Sequence, residues 1–260
     1  MLILITKKCF EACPHCMEDA SPDGKEMDMA TFIQTLNYAR EIGARTLCLS
    51  GGEITTHPLW YEMAEKACDF AKKNGMCVIL ESNGTFITNP SIVEKLKSIM
   101  QNERILFMQI VSTKRLYKSY EQVWGRAKEI KAISPKIHMF DTIPGPIKPL
   151  GRAKGNPLFS KEIEDSKTAP SCINSALVVR QTRSMKEMIL ALEIRGMICK
   201  PMIDVKGDVF MSECALCPSV GNISEGAFIL YQRMKEFLPC NACEQCKNVA
   251  KSILKLLFRE

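Results

Sequence analysis

The chain has 260 residues, 46% hydrophobic and 25% charged, with 35 Lys and Arg against 29 Asp and Glu for a formal net charge of +6. This length and composition exclude a disordered or fibrous chain and suit one large α/β unit with a small appendage. No apolar run reaches the roughly 18 residues of a membrane helix, and the positive charge is not gathered into one block, so it reads as a solvated surface rather than a nucleic-acid site.

Met1 opens directly into an apolar run with no signal-peptide pattern before it, and a cytoplasmic location is expected. Thirteen cysteines in such a chain read as metal ligands rather than as a disulfide framework.

Apolar runs alternate with segments of helical period through the first half. Residues 2–6 predict a strand, 28–42 a helix with a capping residue at its start, 45–50 a strand and 60–74 a helix. Residues 76–82 then predict a strand, 91–100 a helix, 105–111 a strand, 117–133 one long helix and 136–142 a fifth strand. Repeated βα units with short loops imply parallel strands and right-handed crossovers, with ligands gathering at the carboxyl ends of the strands. Three prolines and two glycines break the pattern between 143 and 153, and a polar loop runs to Pro170. A strand at 175–181 and a helix at 185–194 close the first unit. Residues 197–205 and 208–211 predict a hairpin about Lys206-Gly207, and 252–258 an amphipathic helix. The expected division is a barrel over 1–195 and a smaller domain over 196–260.

The most specific motif is Cys9-Phe10-Glu11-Ala12-Cys13-Pro14-His15-Cys16, just past the first strand. A [4Fe–4S] cube normally takes four thiolates, so three leave one iron open to a small chelate that binds through an amine and a carboxylate. The competing reading is a zinc knob with His15 or a distant group as fourth ligand. Gly51-Gly52-Glu53 and Ser82-Asn83-Gly84 also follow predicted strands. In this order and spacing the three motifs resemble the radical SAM superfamily over about the first 150 residues.

The resemblance implies an α/β fold, a partial (β/α)6 TIM-like barrel. It implies that Cys9, Cys13 and Cys16 hold a [4Fe–4S] cluster and that Gly51, Gly52 and Glu53 hold the amino group of S-adenosylmethionine. Glycines there would let backbone approach a ligand closely. Ser82 and Asn83 would contact the carboxylate or ribose, Gln109 and Ser112 would either contact the ribose or be plain polar core residues, and the backbone at His15 would meet the adenine. Phe10 and Pro14 would shield the cluster from water. Arg152, in Gly-Arg-Ala, resembles a recurring feature of members with a second cluster domain, and a salt bridge is the alternative. The implied chemistry is one-electron reduction of the cluster by an external donor such as flavodoxin or ferredoxin. Cleavage of S-adenosylmethionine to methionine and a 5′-deoxyadenosyl radical follows, and the radical takes hydrogen from a substrate.

Cys48, Cys68 and Cys77 fall in predicted strands or a helix and read as buried core thiols. Seven more, Cys172, Cys199, Cys214, Cys217, Cys240, Cys243 and Cys246, lie in the last 90 residues. Lys206–Phe210, Cys214 and Gly221-Asn222-Ile223 resemble the SPASM extension or its shortened form, twitch, which implies one auxiliary [4Fe–4S] cluster, or two. The pattern departs from a full SPASM in its cysteine spacing, and Cys214-x2-Cys217 with Cys240-x2-Cys243 also matches a zinc ribbon. The leading functional expectation is modification of a peptide or protein side chain. Small-molecule chemistry of the cyclase or dehydrogenase type is the first alternative, and a zinc-binding adaptor is the second.

Overall fold

A computed structural model describes residues 1–143, 147, 150–161, 184, 186, 201–210 and 218–236. Five parallel strands form its frame: β1 (Leu2–Thr6), β2 (Thr46–Gly51), β3 (Cys77–Ser82), β4 (Ile105–Val111) and β5 (Ile137–Phe140). Between them run α1 (Met29–Ile42), α2 (Trp60–Asn74), α3 (Pro90–Met100), α4 (Tyr120–Gly125) and α5 (Ala127–Ile133). The sheet continues beyond β1 with β6 (Met202–Ile203), β7 (Asp208–Phe210) and β8 (Gly221–Asn222), before α6 (Ala227–Glu236). Its order is β5-β4-β3-β2-β1-β6-β7-β8. β6 is parallel to β1, and β7 and β8 are antiparallel to their neighbours. The architecture is the α/β parallel sheet expected of a partial barrel.

Local chemistry sets the ends of the elements. Asp28 caps α1 by accepting the Thr31 N–H at 2.7 Å, and Gly43 ends the helix in the left-handed region at φ 78°. Asn89 caps α3 ahead of Pro90, whose ring presets the first turn. Two periodicities then meet. Leu47, Leu49, Val78, Leu80, Met108 and Ile110 are buried in one core with Phe32 and Leu36 of α1 and Met63 of α2. The intervening residues, among them Leu4, Cys48, Ser50, Glu81 and Gln109, face a cavity instead.

Several expectations change in detail. The helix predicted over 117–133 is broken at Arg126, where φ is −108°. Gly125 weakens the helix there, and the Arg126 guanidinium donates to the Ile87 carbonyl at 2.7 Å while pairing with Glu129. The hairpin forms about Lys206-Gly207 with shorter strands than expected, and the Asp204 carboxylate accepts the N–H groups of Lys206 and Asp208. Through β6 it extends the main sheet. Cys48 and Cys68 are buried as expected, Cys48 beside the cavity, whereas Cys77 at the start of β3 is half-buried. The elements expected at 175–181 and 252–258, and the helix at 185–194 apart from Lys186, lie outside the described residues. Among the described residues no helix is long and apolar enough to cross a membrane.

Phe32 is fully buried against the sheet. Phe32→Ala is expected to destabilise the protein by about 3–5 kcal/mol, read as a lower urea midpoint.

Candidate active site

The cysteine loop leaves β1 and returns to it. Met27 N–H donates to the Ile5 carbonyl at 2.8 Å, Lys7 N–H to Lys25 at 2.7 Å and Cys9 N–H to Ser21 at 2.9 Å. Within this zipped base Ala12 and Asp19 both sit in the left-handed region, at φ 50°. The loop opens onto a cavity of about 340 Å³, within the range of cofactor pockets. Cys9, Cys13, His15, Cys16, Gly51, Gly52, Ser82, Asn83 and Gln109 all line it, so residues that the sequence places up to 100 positions apart share one chamber.

Burial pushes the Cys9 thiol up to about 11, with the Glu11 backbone N–H pulling partly the other way. Burial and the charge of Glu11 push Cys13 up to about 12. Without metal these are neutral thiols, and loading them as thiolates releases protons. Among the described residues no three His, Cys, Asp or Glu side chains converge as ligands of a single ion. A cube instead takes each thiolate on a different iron, so the donor set of three soft ligands around one chamber suits a cluster better than a zinc knob. Two sulfurs already accept hydrogen bonds, Cys16 from the Ala20 N–H at 3.3 Å and Cys9 from Asn83 Nδ2 at 3.6 Å.

Gly51 and Gly52 are required by the chain's own backbone. A Cβ on Gly51 would stand 2.1 Å from the Thr6 carbonyl oxygen, and one on Gly52 would stand 2.4 Å from that of Lys8. The same approach carries two hydrogen bonds, Gly52 N–H to Thr6 at 2.7 Å and Glu53 N–H to Lys8 at 2.9 Å.

Glu53 itself is 1% exposed and lies behind the cavity wall. Its carboxylate accepts the Thr55 N–H at 3.1 Å, the Thr55 hydroxyl at 2.7 Å, the Asn83 N–H at 2.8 Å and the Ser82 hydroxyl at 2.8 Å. Burial pushes its carboxyl above the usual range, and these hydrogen bonds oppose that shift. Glu53 thereby fixes the Ser82–Asn83 turn that does face the chamber.

Three other expectations resolve differently. Ser112 is buried outside the cavity lining, its hydroxyl unpartnered and its carbonyl accepting from Trp124 Nε1 at 2.7 Å. Phe10 is 66% exposed and points away from the thiols, so it cannot shield them. Arg152 forms the salt bridge given as the alternative for it. Its Nη1 pairs with Asp19 at 3.1 Å and donates to the Ala20 carbonyl, while Nε donates to the Cys13 carbonyl at 2.9 Å. Its backbone N–H reaches the Cys16 carbonyl at 3.0 Å.

Tyr117 and Glu11 had no signal in the sequence. The Tyr117 ring lies 5.4 Å from that of His15, and burial followed by the charge of the three cysteines pushes its hydroxyl up. Glu11 is buried and accepts the Ser119 N–H at 3.2 Å, tying the cysteine loop to the segment after β4. His15 Nδ1 is buried without a partner, and burial followed by the charge of Arg152 lowers the imidazole to about 4. Cys172, Cys199, Cys214, Cys217, Cys240, Cys243 and Cys246 lie outside the described residues.

Comparison with known proteins agrees with this geometry. Residues 3–135 match the Radical SAM superfamily. The chain belongs to that superfamily and is an enzyme of its class, which implies S-adenosylmethionine and a [4Fe–4S] cluster as cofactors. It is 34% identical over 96 residues to an AdoMet-dependent heme synthase of Methanosarcina barkeri, a match covering 36% of this chain and 26% of that protein. It is 31% identical over 98 residues to the antilisterial bacteriocin subtilosin biosynthesis protein AlbA of Bacillus subtilis, covering 37% of this chain and 21% of that one. The matched stretch is thus about a quarter of the length of these curated relatives. Among solved structures, BtrN in complex with AdoMet and 2-DOIA superposes with a TM-score of 0.58 at 13% identity, covering 90% of this chain and 84% of BtrN. The anSMEcpe structure with bound AdoMet and Cp18Cys peptide gives 0.53 at 13% identity, covering 95% and 85%. At such identities the likeness is one of fold.

Two outcomes are expected. Gly52→Ala must part Gly52 from Lys8 and should sharply lower iron uptake on anaerobic reconstitution, whereas Gly125→Ala, with nothing within 4 Å of the new methyl, should leave it unchanged. In the metal-free protein an unfolded His15 takes a proton below about 6.5, and the folded one refuses it until about 4. Stability held above pH 6.5 is therefore lost as pH falls toward 4. Wild type should lose more urea resistance between pH 7 and pH 5 than His15→Gln does.

Proposed function

We propose that this chain cleaves S-adenosylmethionine reductively and takes a hydrogen atom from the side chain of a peptide or protein. The observation that carries the reading is the meeting of three separate motifs on one chamber at the strand ends. When bound, the cluster and S-adenosylmethionine together supply a one-electron cleavage that yields a hydrogen-abstracting radical.

The protein's own residues hold, orient and exclude. Cys9, Cys13 and Cys16 each take one iron. N–H donors on the Cys9 and Cys16 sulfurs favour the more negative, reduced form of whatever those sulfurs ligate. The backbone edge at Gly51 and Gly52, with Ser82 and Asn83 held in place by Glu53, receives the methionine end. His15 and Tyr117 form the wall against the adenine. Leu2, Leu4 and Val111 line the chamber and keep water from the reacting atoms.

A peptide substrate is favoured by matches within this stretch of the chain to the subtilosin biosynthesis protein and to the PqqA peptide cyclase of Ruegeria pomeroyi, 30% identical over 101 residues. The match to the heme synthase favours a small-molecule substrate as the second reading. We assign the unit from residue 196 onward an auxiliary [4Fe–4S] cluster, drawing on Cys199, Cys214, Cys217, Cys240, Cys243 and Cys246 with Cys172. The electron donor is of the flavodoxin or ferredoxin class.

Anaerobic reconstitution tests this directly. Wild type should bind at least about four irons per chain and, with dithionite, convert S-adenosylmethionine to 5′-deoxyadenosine and methionine. The Cys9/Cys13/Cys16→Ala triple variant should lose the cleavage and about four irons, keeping only what the C-terminal cysteines hold. Cleavage that survives in the triple variant, or a wild type that takes up no iron, would sink the proposal.

A further inference from the structure

The inward face of the sheet carries a polar row where buried parallel strands normally present apolar side chains. Ser50 on β2, Glu81 on β3, Gln109 on β4 and His138 on β5 stand side by side. Glu81 is in register with Gln109, and Gln109 with His138. The Ser50 hydroxyl donates to Glu81 Oε2 at 2.7 Å. Ser50, Glu81 and Gln109 open onto the same chamber as the three thiols, among apolar Leu4 and Val111.

Ser50, Glu81 and Gln109 are half-buried, and their polar groups face the chamber. Among the described residues Glu81 accepts the single bond from Ser50 and the Gln109 amide makes none. Among the described residues the chamber offers Glu81 no free cation either. Arg152, the guanidinium in the lining, is committed to Cys13, Asp19 and Ala20. The other lining carboxylate, Glu18, already has its partner in Lys7 at 3.6 Å. A carboxylate with one oxygen unspent, an amide with both ends unspent and no counter-charge form a site that is complete only when a cationic donor enters.

We infer that Glu81, with Gln109 and Ser50 beside it, is the substrate subsite, and that it takes a protonated amine on the molecule that yields the hydrogen atom. The inference rests on the functional reading above, which places the methionine ammonium at the Gly51–Gly52 edge and so leaves Glu81 to the substrate. Ser50 orients the carboxylate, and Gln109 takes the polar atoms next to the amine. A charge-assisted hydrogen bond to a positioned carboxylate discriminates against a neutral isostere.

The test uses the full chain, reconstituted anaerobically, with two probe pairs measured by calorimetry in the presence and absence of S-adenosylmethionine. One pair is Nα-acetyl-lysine N-methylamide against its norleucine counterpart, and the other is glucosamine against glucose. Wild type should prefer the amine member of a pair by about tenfold or more. Preference in the first pair assigns the amine to a peptide and preference in the second to a small molecule. Glu81→Gln should abolish that preference while iron content and S-adenosylmethionine affinity stay at wild-type values. If Glu81→Gln fails to load iron, Glu81→Asp carries the comparison and should retain a reduced preference. Equal binding of amine and isostere by wild type, or an unchanged preference in Glu81→Gln, overturns the inference. So does a Glu81→Gln variant whose loss is in S-adenosylmethionine affinity itself, since the carboxylate would then serve the cofactor. A wild type that binds neither iron nor S-adenosylmethionine defeats the functional reading alone, because an amine preference abolished in Glu81→Gln would still establish the subsite.

Discussion

The mouth of the sheet hangs on one tripeptide. Gly51-Gly52-Glu53 lies against Thr6–Lys8 so closely that two backbone hydrogen bonds form where a single added methyl would collide with a carbonyl oxygen. From the same tripeptide the Glu53 side chain turns inward and gathers donors from Thr55, Ser82 and Asn83. The ends of β1, β2 and β3 are therefore locked to one another by three consecutive residues. A carboxylate with no cation beside it is tolerable at that depth only because so many donors meet it. Removing any one of them leaves the buried charge less well compensated and frees a strand end as well.

With the strand ends fixed, the cysteine loop is held from several independent directions. Its base is zipped to β1, Glu11 holds the segment after β4 at Ser119, and Arg152 reaches across from beyond β5 to the carbonyls of Cys13 and Ala20. Such redundancy suits a site whose parts repel. Three thiols that must all ionise are packed beside buried carboxylates, and in the metal-free chain every one of those charges opposes the others. A bound metal group reverses that balance, since its positive charge is what the thiolates lack. The fold supplies the geometry and the cofactor supplies the compensation.

What could be read in the sequence was what is local and periodic. The alternation of apolar runs located all five parallel strands to within about two residues, and the spacing of Cys9, Cys13 and Cys16 identified the chamber's chemistry. Gly51 and Gly52 stood out, but their approach to Thr6 and Lys8 did not, because a glycine signal reports a close approach without saying what approaches. The break at Arg126 depends on a carbonyl at Ile87, far outside any helical window. Phe10 was misplaced, and the two readings of Ser112 stayed open, for a related reason: residue type and position along the chain do not say which way an irregular loop turns its side chains. Tyr117, Glu11 and Glu81 carried no local mark. Glu81 is simply the penultimate residue of a strand, and it acquires meaning only when Ser50 and Gln109 are brought alongside.

The Arg152 clasp also imposes an order on how the protein is made. All three thiols have left the ribosome long before residue 152, and a nascent chain of that stage contains the cysteine motif without the guanidinium that holds its carbonyls in place. Gly151, where a Cβ would stand 2.4 Å from the Cys16 carbonyl oxygen, arrives equally late. The metal-binding loop is thus finished by sequence distant from it. A truncated chain displaying the cysteines alone would therefore lack the contacts that hold their loop in place.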